Sequence, residues 1–406
     1  MIIAPCTVVT GGPEPKVFED AGVRVVGAHI AQVASAGSLA RAYHDETLWP
    51  ARGRVLMPGF VNTHAHLARH LARGLGLRTL GAWTRYEQAL SPEDVRCAAM
   101  AALVEGVRHG VTTVCDLHRS GACLDLSLSE IVSAASKVGV RVATGYAASE
   151  QDAPRDRKLA LEECLTFGNE VQRRRDGRVR AMVGVEATTL GGIESLVSEA
   201  FEAAATKMPV HVDLALDLTP AERWNSRGPW RDGAPPALWA HVEAAPRGLL
   251  AQAQERGDTL SAVGSSSVAA LVRDAEVAWG SDASVNAPPL PDGAGMLGFG
   301  ARSELHYRRL FVNGARWAAH SFGEKLGEVE PGAPADLVLL DYRPSTEFSS
   351  KTLLDHLWSG LLRAPVSGVM VSGQVIMDNG VVVTVDEREV AERAREAARR
   401  VWGRLG

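Results

Sequence analysis

Little in this sequence invites covalent cross-linking. The five cysteines (Cys6, Cys97, Cys115, Cys123 and Cys164) are odd in number, irregularly spaced and free of any C-x-x-C pair. That excludes a disulfide framework and a zinc ribbon; reduced thiols and a cytoplasmic setting are expected. An excess of one charge is missing too. The 43 Lys and Arg stand against 48 Asp and Glu, so there is no basic stripe of the kind that binds nucleic acid. Arginines near the C-terminus (Arg388, Arg393, Arg395, Arg399, Arg400 and Arg404) alternate with Glu and Ala. They predict the solvated face of a helix at about 386–404. No run of about 18 apolar residues occurs, and Met1-Ile2-Ile3-Ala4-Pro5 lacks a charged segment leading into a long apolar stretch. Neither a membrane span nor a secretory leader is expected. Solenoid repeats and low-complexity tracts are absent as well.

What is present is a change of texture along the chain. Residues 1–57 read as short strands and turns, such as Gly22-Val23-Arg24-Val25-Val26. From 58 to 324, apolar strand-like runs alternate with amphipathic stretches. The clearest runs are Val111–Cys115, Val140–Ala143, Arg180–Val185, Pro209–Leu214, Ala237–Ala240 and Val277–Gly280. Such alternation predicts a parallel sheet covered by helices, and over this length a closed (β/α)8 barrel. After about 325 the strands return without long helices, as in Asp336–Leu340 and Val381–Val385. The expected organisation is therefore a barrel at 58–324 and a discontinuous β-sandwich lobe made of 1–57 and 325–406, the latter including the C-terminal helix.

The sharpest local signal is Pro58-Gly59-Phe60-Val61-Asn62-Thr63-His64-Ala65-His66. An apolar strand runs into two histidines one residue apart. Residues i and i+2 of a strand face the same way, so both imidazoles point into the barrel, where they can hold one metal ion.

That run resembles the first barrel strand of the amidohydrolase superfamily, in the branch of cytosine deaminases, chlorohydrolases and S-adenosylhomocysteine deaminases. Gly110–Val114 with Asp116 is similar to the second strand, and Gly332–Val338 and Val369–Gly373 look like the family's C-terminal sandwich signatures. The segment ending in Tyr146 and Ser149-Glu150-Gln151-Asp152 is most like SsnA-like aminohydrolases. The resemblance implies one divalent metal ion, zinc first with Fe(II) or Mn as alternatives. It implies His64, His66, a residue of strand 5 and Asp282 as ligands. Asp282 would also be the general base. His241, ending Leu238-Trp239-Ala240, would touch the metal-activated water or the substrate. A small-molecule substrate and a homodimer follow from the same likeness.

Strand 5 departs from the family pattern, His-x-His-Leu-Ala-Glu. Here it reads His211-Val212-Asp213-Leu214-Ala215-Leu216. Asp213 or His211 can be the ligand, since they share a face. Asp213 is favoured, being nearer the C-terminal end where barrel sites form. Either way the proton-shuttling glutamate is lost, because Leu216 carries no proton. Strand 4 ends in Glu186 where the family often has histidine, so Glu186 and Glu243 are the candidates to replace the acid. His118 and Arg69 stand beside the expected mouth as substrate-binding candidates, with His70 next to Arg69. Two histidines and two aspartates bring a site with a divalent ion to a net charge of about 0, which favours harder ions. The function read from all this is hydrolysis of C–N bonds other than peptide bonds, by metal-activated water on a small molecule. The competing readings are a degenerate amidohydrolase fold that binds without turnover, and a hydrolase with a changed leaving group such as halide.

Overall fold

The computed structural model describes residues 1–406 except 122, 205–207, 216–227, 231–232, 264–275 and 289–298. Leu216 and the Gly264–Ser267 part of strand 7 lie outside the described residues.

The chain divides into two units. The first comprises residues 1–61, 105–113 and 287–385. Its centre is a nine-stranded sheet that joins the two ends of this unit. Strand Val55–Pro58 pairs in parallel with Ile2–Val9 on one side and antiparallel with Leu337–Leu340 on the other. Ile3, Val8, Val23, Leu56, Leu337, Leu339 and Met370 form its apolar core.

The second unit comprises residues 62–104, 114–286 and 386–406. Residues 105–113 and 287–324 group with the first unit, and the C-terminal helix Glu387–Leu405 groups with the barrel side. The helix does so because its buried stripe, Val390, Ala394, Ala397 and Val401, recurs at helical spacing. Trp402 Nε1 also donates to Leu71 O at 2.8 Å, and Arg400 and Arg404 reach the fully buried Asp94 at 3.1 and 2.8 Å. Part of the arginine-rich face is thus tied down.

The barrel has eight strands, in order Phe60–Ala65, Val111–His118, Arg141–Ser149, Val183–Glu186 with its forerunner Val179–Ala181, Val210–Asp213, Ala237–Ala240, Thr259–Val263 and Val277–Gly280. Every described residue of the first, second, third, fifth, sixth and eighth is buried. Near-continuous apolar runs are what a parallel sheet buried on both faces requires. The eighth strand returns to the first: Ser281 N and Asp282 N donate to His64 O at 2.8 and 3.0 Å, and His66 N donates to Asp282 O at 3.1 Å. Asn62, inside the histidine motif, braces this seam. Its amide donates to Ser281 Oγ and Asn286 Oδ1, while its Oδ1 accepts from His64 N and Ser281 N. Gly280 is required there, since a Cβ would lie 2.8 Å from both His64 Cβ and Ser261 Oγ.

Glu163 sits half-buried on the helix Pro154–Arg174. Burial, then the charges of Asp125 and Glu170, push its carboxyl up to about 7. A carboxyl with a raised folded pKa contributes stability that is present below its unfolded value and lost as pH rises through the folded one. Glu163→Gln should therefore raise Tm at pH 8 by at most about 2–4 °C and change it little at pH 4. Equal shifts at the two pH values in thermal melts would contradict this.

Candidate active site

His64 and His66 end the first strand fully buried, rings 4.8 Å apart. His66 Nδ1 donates to Leu117 O at 2.6 Å, which leaves Nε2 as a lone pair. That lone pair faces Asp213 Oδ2 at 3.2 Å. His64 Nε2 lies 3.9 Å from the same oxygen. Asp282 Oδ1 is 3.5 Å from His66 Nε2 and 3.8 Å from His241 Nε2, and Asp213 Oδ1 is 3.9 Å from His241 Nε2. Two sets of ligand-type atoms thus draw within 4.8 Å of one another: His64, His66 and Asp213, and His64, His241 and Asp282.

Three of these buried atoms (His64 Nε2, Asp213 Oδ1 and Asp282 Oδ1) have no hydrogen-bond partner. An unsatisfied buried polar atom costs about 1–3 kcal/mol. Acceptors that face one another across 3–4 Å need a positive centre between them. Imidazole nitrogens and carboxylate oxygens are donors suited to a divalent cation, so the residues present fit such an ion.

His211 stands apart from the ligand atoms. Although it shares a strand face with Asp213, it sits deeper in the barrel, and its Nε2 lies 3.0 Å from His64 Nδ1, not at the convergence of ligand atoms. Asp213, at the C-terminal end of the strand, is the residue that enters the cluster.

His241 and Asp282 both adopt left-handed backbone, φ 56° and 53°. For non-glycine residues this is strain of order 1–3 kcal/mol, the kind that gathers at functional sites. His241 Nδ1 bonds Glu243 Oε1 at 3.0 Å, so Nε2 turns to Asp213 and Asp282. Glu243 is thereby committed to orienting His241; it also accepts from Val263 N. Burial alone would lower the His241 pKa, but Asp213, Asp282 and Glu243 push it to about 11. Burial opposes ionisation of Asp213 and Asp282, yet His241, His66 and Arg69 hold both carboxyls below the usual range.

Glu186 ends the fourth strand, 3% exposed and in register with Asp213 of the fifth. Ser149 Oγ donates to its Oε1 at 3.3 Å, and Arg69 NH2 stands 3.5 Å from Oε2. Burial and Asp213 raise its pKa against the pull of Arg119 and Arg69. Arg69 also reaches Glu87 at 2.8 Å and Asp282 at 3.7 Å. It is thus a clamp on three carboxylates. His118 is buried, with Nε2 2.7 Å from Ser120 Oγ, and belongs to neither ligand set. Burial, then the charges of His66, Arg119 and Arg69, take its pKa down to about 3.

Sequence reasoning missed Glu87 and the pairing of Arg119. Arg119 joins Glu87 at 3.2 Å to Asp152 at 2.9 Å. Glu87 lies on a helix with no motif around it. Its only sequence signal is a charged residue on a buried helix position, which is invisible until the helix docks. Asp116 is similar. It accepts from Leu67 N and Thr144 Oγ1, both at 2.8 Å, and so fixes the turn that follows His66.

Residues 55–224 match the model of the amidohydrolase family. Over that part the chain is similar to amidohydrolases. It is 27% identical to a 5-methylthioadenosine/S-adenosylhomocysteine deaminase of Natronomonas pharaonis, across 88% of this chain and 90% of that one. A protein of the same name from Pelotomaculum thermopropionicum is 25% identical across 100% and 99%. Among solved structures, an adenosine deaminase from Xanthomonas campestris with bound zinc matches at TM-score 0.75 and 21% identity, covering 99% of this chain and 98% of that one. Atrazine chlorohydrolase from Arthrobacter aurescens, complexed with zinc, matches at TM-score 0.75 and 19% identity, covering 98% and 99%. At such identities the solved structures show the shared fold. Family, fold and ligand cluster agree on a metal-dependent hydrolase for carbon–nitrogen bonds. Among the described residues no helix is long and apolar enough to cross a membrane.

Proposed function

We propose that His64, His66, Asp213 and Asp282 hold one divalent ion, zinc first with Fe(II) or Mn as alternatives. The site then removes an amino group from an amino-substituted heterocycle or a related amide. The observation that carries this reading is the set of unpartnered buried atoms, His64 Nε2, Asp213 Oδ1 and Asp282 Oδ1, gathered around the His66 and His241 rings. The deaminase names of the whole-length relatives make an aminopurine nucleoside the first substrate to try. Bound there, the ion supplies the Lewis acidity that makes water a nucleophile near neutral pH.

The protein's own groups do the rest. Asp282 accepts the proton that the attacking water gives up. His241, held by Glu243, presents Nε2 to the oxygen that joins the substrate carbon. Glu186 is the carboxyl that delivers a proton to the ring or to the departing nitrogen, the task that Leu216 cannot perform. Arg69 keeps Asp282 and Glu186 in position, and His118 lines the wall behind them. The balance is simple: C–NH2 and water become C=O and ammonia.

The test is metal content by mass spectrometry together with ammonia release from aminopurines, aminopyrimidines and amides. About one tightly held ion per chain and release from at least one class are expected. A protein that retains no ion, ignores chelators and releases no ammonia would be a binder, and the reading would fail.

A further inference from the structure

Behind the ligand cluster, three buried side chains that the reaction does not use directly run back from His64. His64 Nδ1 is 3.0 Å from His211 Nε2. His211 Nδ1 is 3.5 Å from Cys115 Sγ. Cys115 Sγ in turn donates to Met182 Sδ at 3.5 Å. All four are buried, with His64, Cys115, Met182 and His211 at 0% exposure, so water does not compete for these bonds.

The last member gives the thiol proton an acceptor other than His211. A thioether has no proton and can only accept. With the Cys115 S–H turned to Met182, Cys115 Sγ offers its lone pair to His211. His211 Nδ1–H donates to that sulfur, which leaves His211 Nε2 as an acceptor. His64 Nδ1–H donates to it, and His64 Nε2 is left as the lone pair that faces Asp213. Turning the thiol proton to His211 Nδ1 instead would reverse both imidazole bonds and put a proton on His64 Nε2, where it would block a cation.

We propose that His211, Cys115 and Met182 are positioning residues that lock His64 in the tautomer able to bind metal, with the acceptor-only Met182 as the terminus that sets the order. The proposal rests on the reading of His64 as a ligand. It also gives His211 a task. His211 reaches the metal site through the back of another ligand. Residues behind a ligating histidine typically change metal affinity by about 10–100-fold when removed.

Two measurements test it. The first is 15N-histidine NMR of the metal-free full-length protein, with His64→Gln used to assign the ring. His64 is expected with its proton on Nδ1, and Met182→Leu is expected to bring in the Nε2–H form. A wild-type His64 protonated on Nε2 would overturn the proposal without any reference to metal or activity. The second is zinc affinity by chelator competition on variants whose melting matches wild type. His211→Ala and Cys115→Ala should weaken zinc by about 10–100-fold. Cys115→Ser, which keeps an acceptor and a donor, should stay near wild type. Equal affinities for His211→Ala and wild type would sink the relay. If wild type itself held no metal, the proposed function would fail, while the tautomer order would still stand or fall on the spectrum.

Discussion

Replacing His66 by alanine should strip the metal from the protein and take the activity with it. A divalent ion in a four-ligand protein site is held by roughly 10–16 kcal/mol, so each ligand accounts for about 3–4 kcal/mol. Losing one weakens the ion by roughly 10²–10³ in affinity. His66 is the member best fixed before any ion arrives, because its Nδ1 bond to Leu117 O at 2.6 Å leaves the ring a single useful orientation. The barrel should survive, since the seam beside it is carried by backbone bonds between His64, Ser281 and Asp282 and by Asn62. Metal content near zero, ammonia release at background and an almost unchanged melt are expected together. A His66→Ala protein that keeps one ion per chain would show that the cluster is not the metal site.

The second large effect is expected at Glu186. Glu186→Gln should lower kcat by about 10²–10⁴, the usual scale for a positioned acid or base, while metal content stays at the wild-type level. Glutamine preserves the volume and can still bond Ser149, which now stands 3.3 Å from Oε1. Arg69 retains Glu87 and Asp282, so the clamp is not dismantled. What disappears is a proton carrier in register with Asp213 and behind the only other described carboxylates of the cluster. The profile of kcat against pH separates this role from a structural one. A group that hands over a proton removes one limb of the profile when it goes, whereas a merely structural carboxylate changes the height and not the shape. An unaltered profile with an unaltered kcat would move the search for the acid to the segment that contains Leu216.

Arg69 explains why a carboxylate is tolerated at position 186. Where the family often carries a histidine, this chain brings a buried carboxyl into register with Asp213. Two carboxylates at that depth are sustained only with cations between and behind them. Arg69 and Arg119, each 11% exposed, supply two, linked through Glu87 to Asp152. Glu186, Asp213 and Arg69 therefore form one linked set of buried groups.

Much of this was legible in one dimension because it is periodic or local. The alternation of apolar runs and amphipathic stretches is enough for a parallel barrel, since a strand buried on both faces must be apolar throughout. Two histidines at i and i+2 on a strand must share a face, so His64 and His66 were bound to meet. Tertiary structure alone decided the rest. His211 and Asp213 share a face as well, and the sequence favours Asp213 only by its place nearer the strand's C-terminal end; their depth in the barrel brings one to His64 Nδ1 and the other to the ligand atoms. Glu87, Asp152 and Met182 take their meaning from partners 18 to 67 positions away, and the C-terminal helix found its unit through one apolar stripe. Pattern specifies which way a side chain faces; only chain closure specifies what it faces.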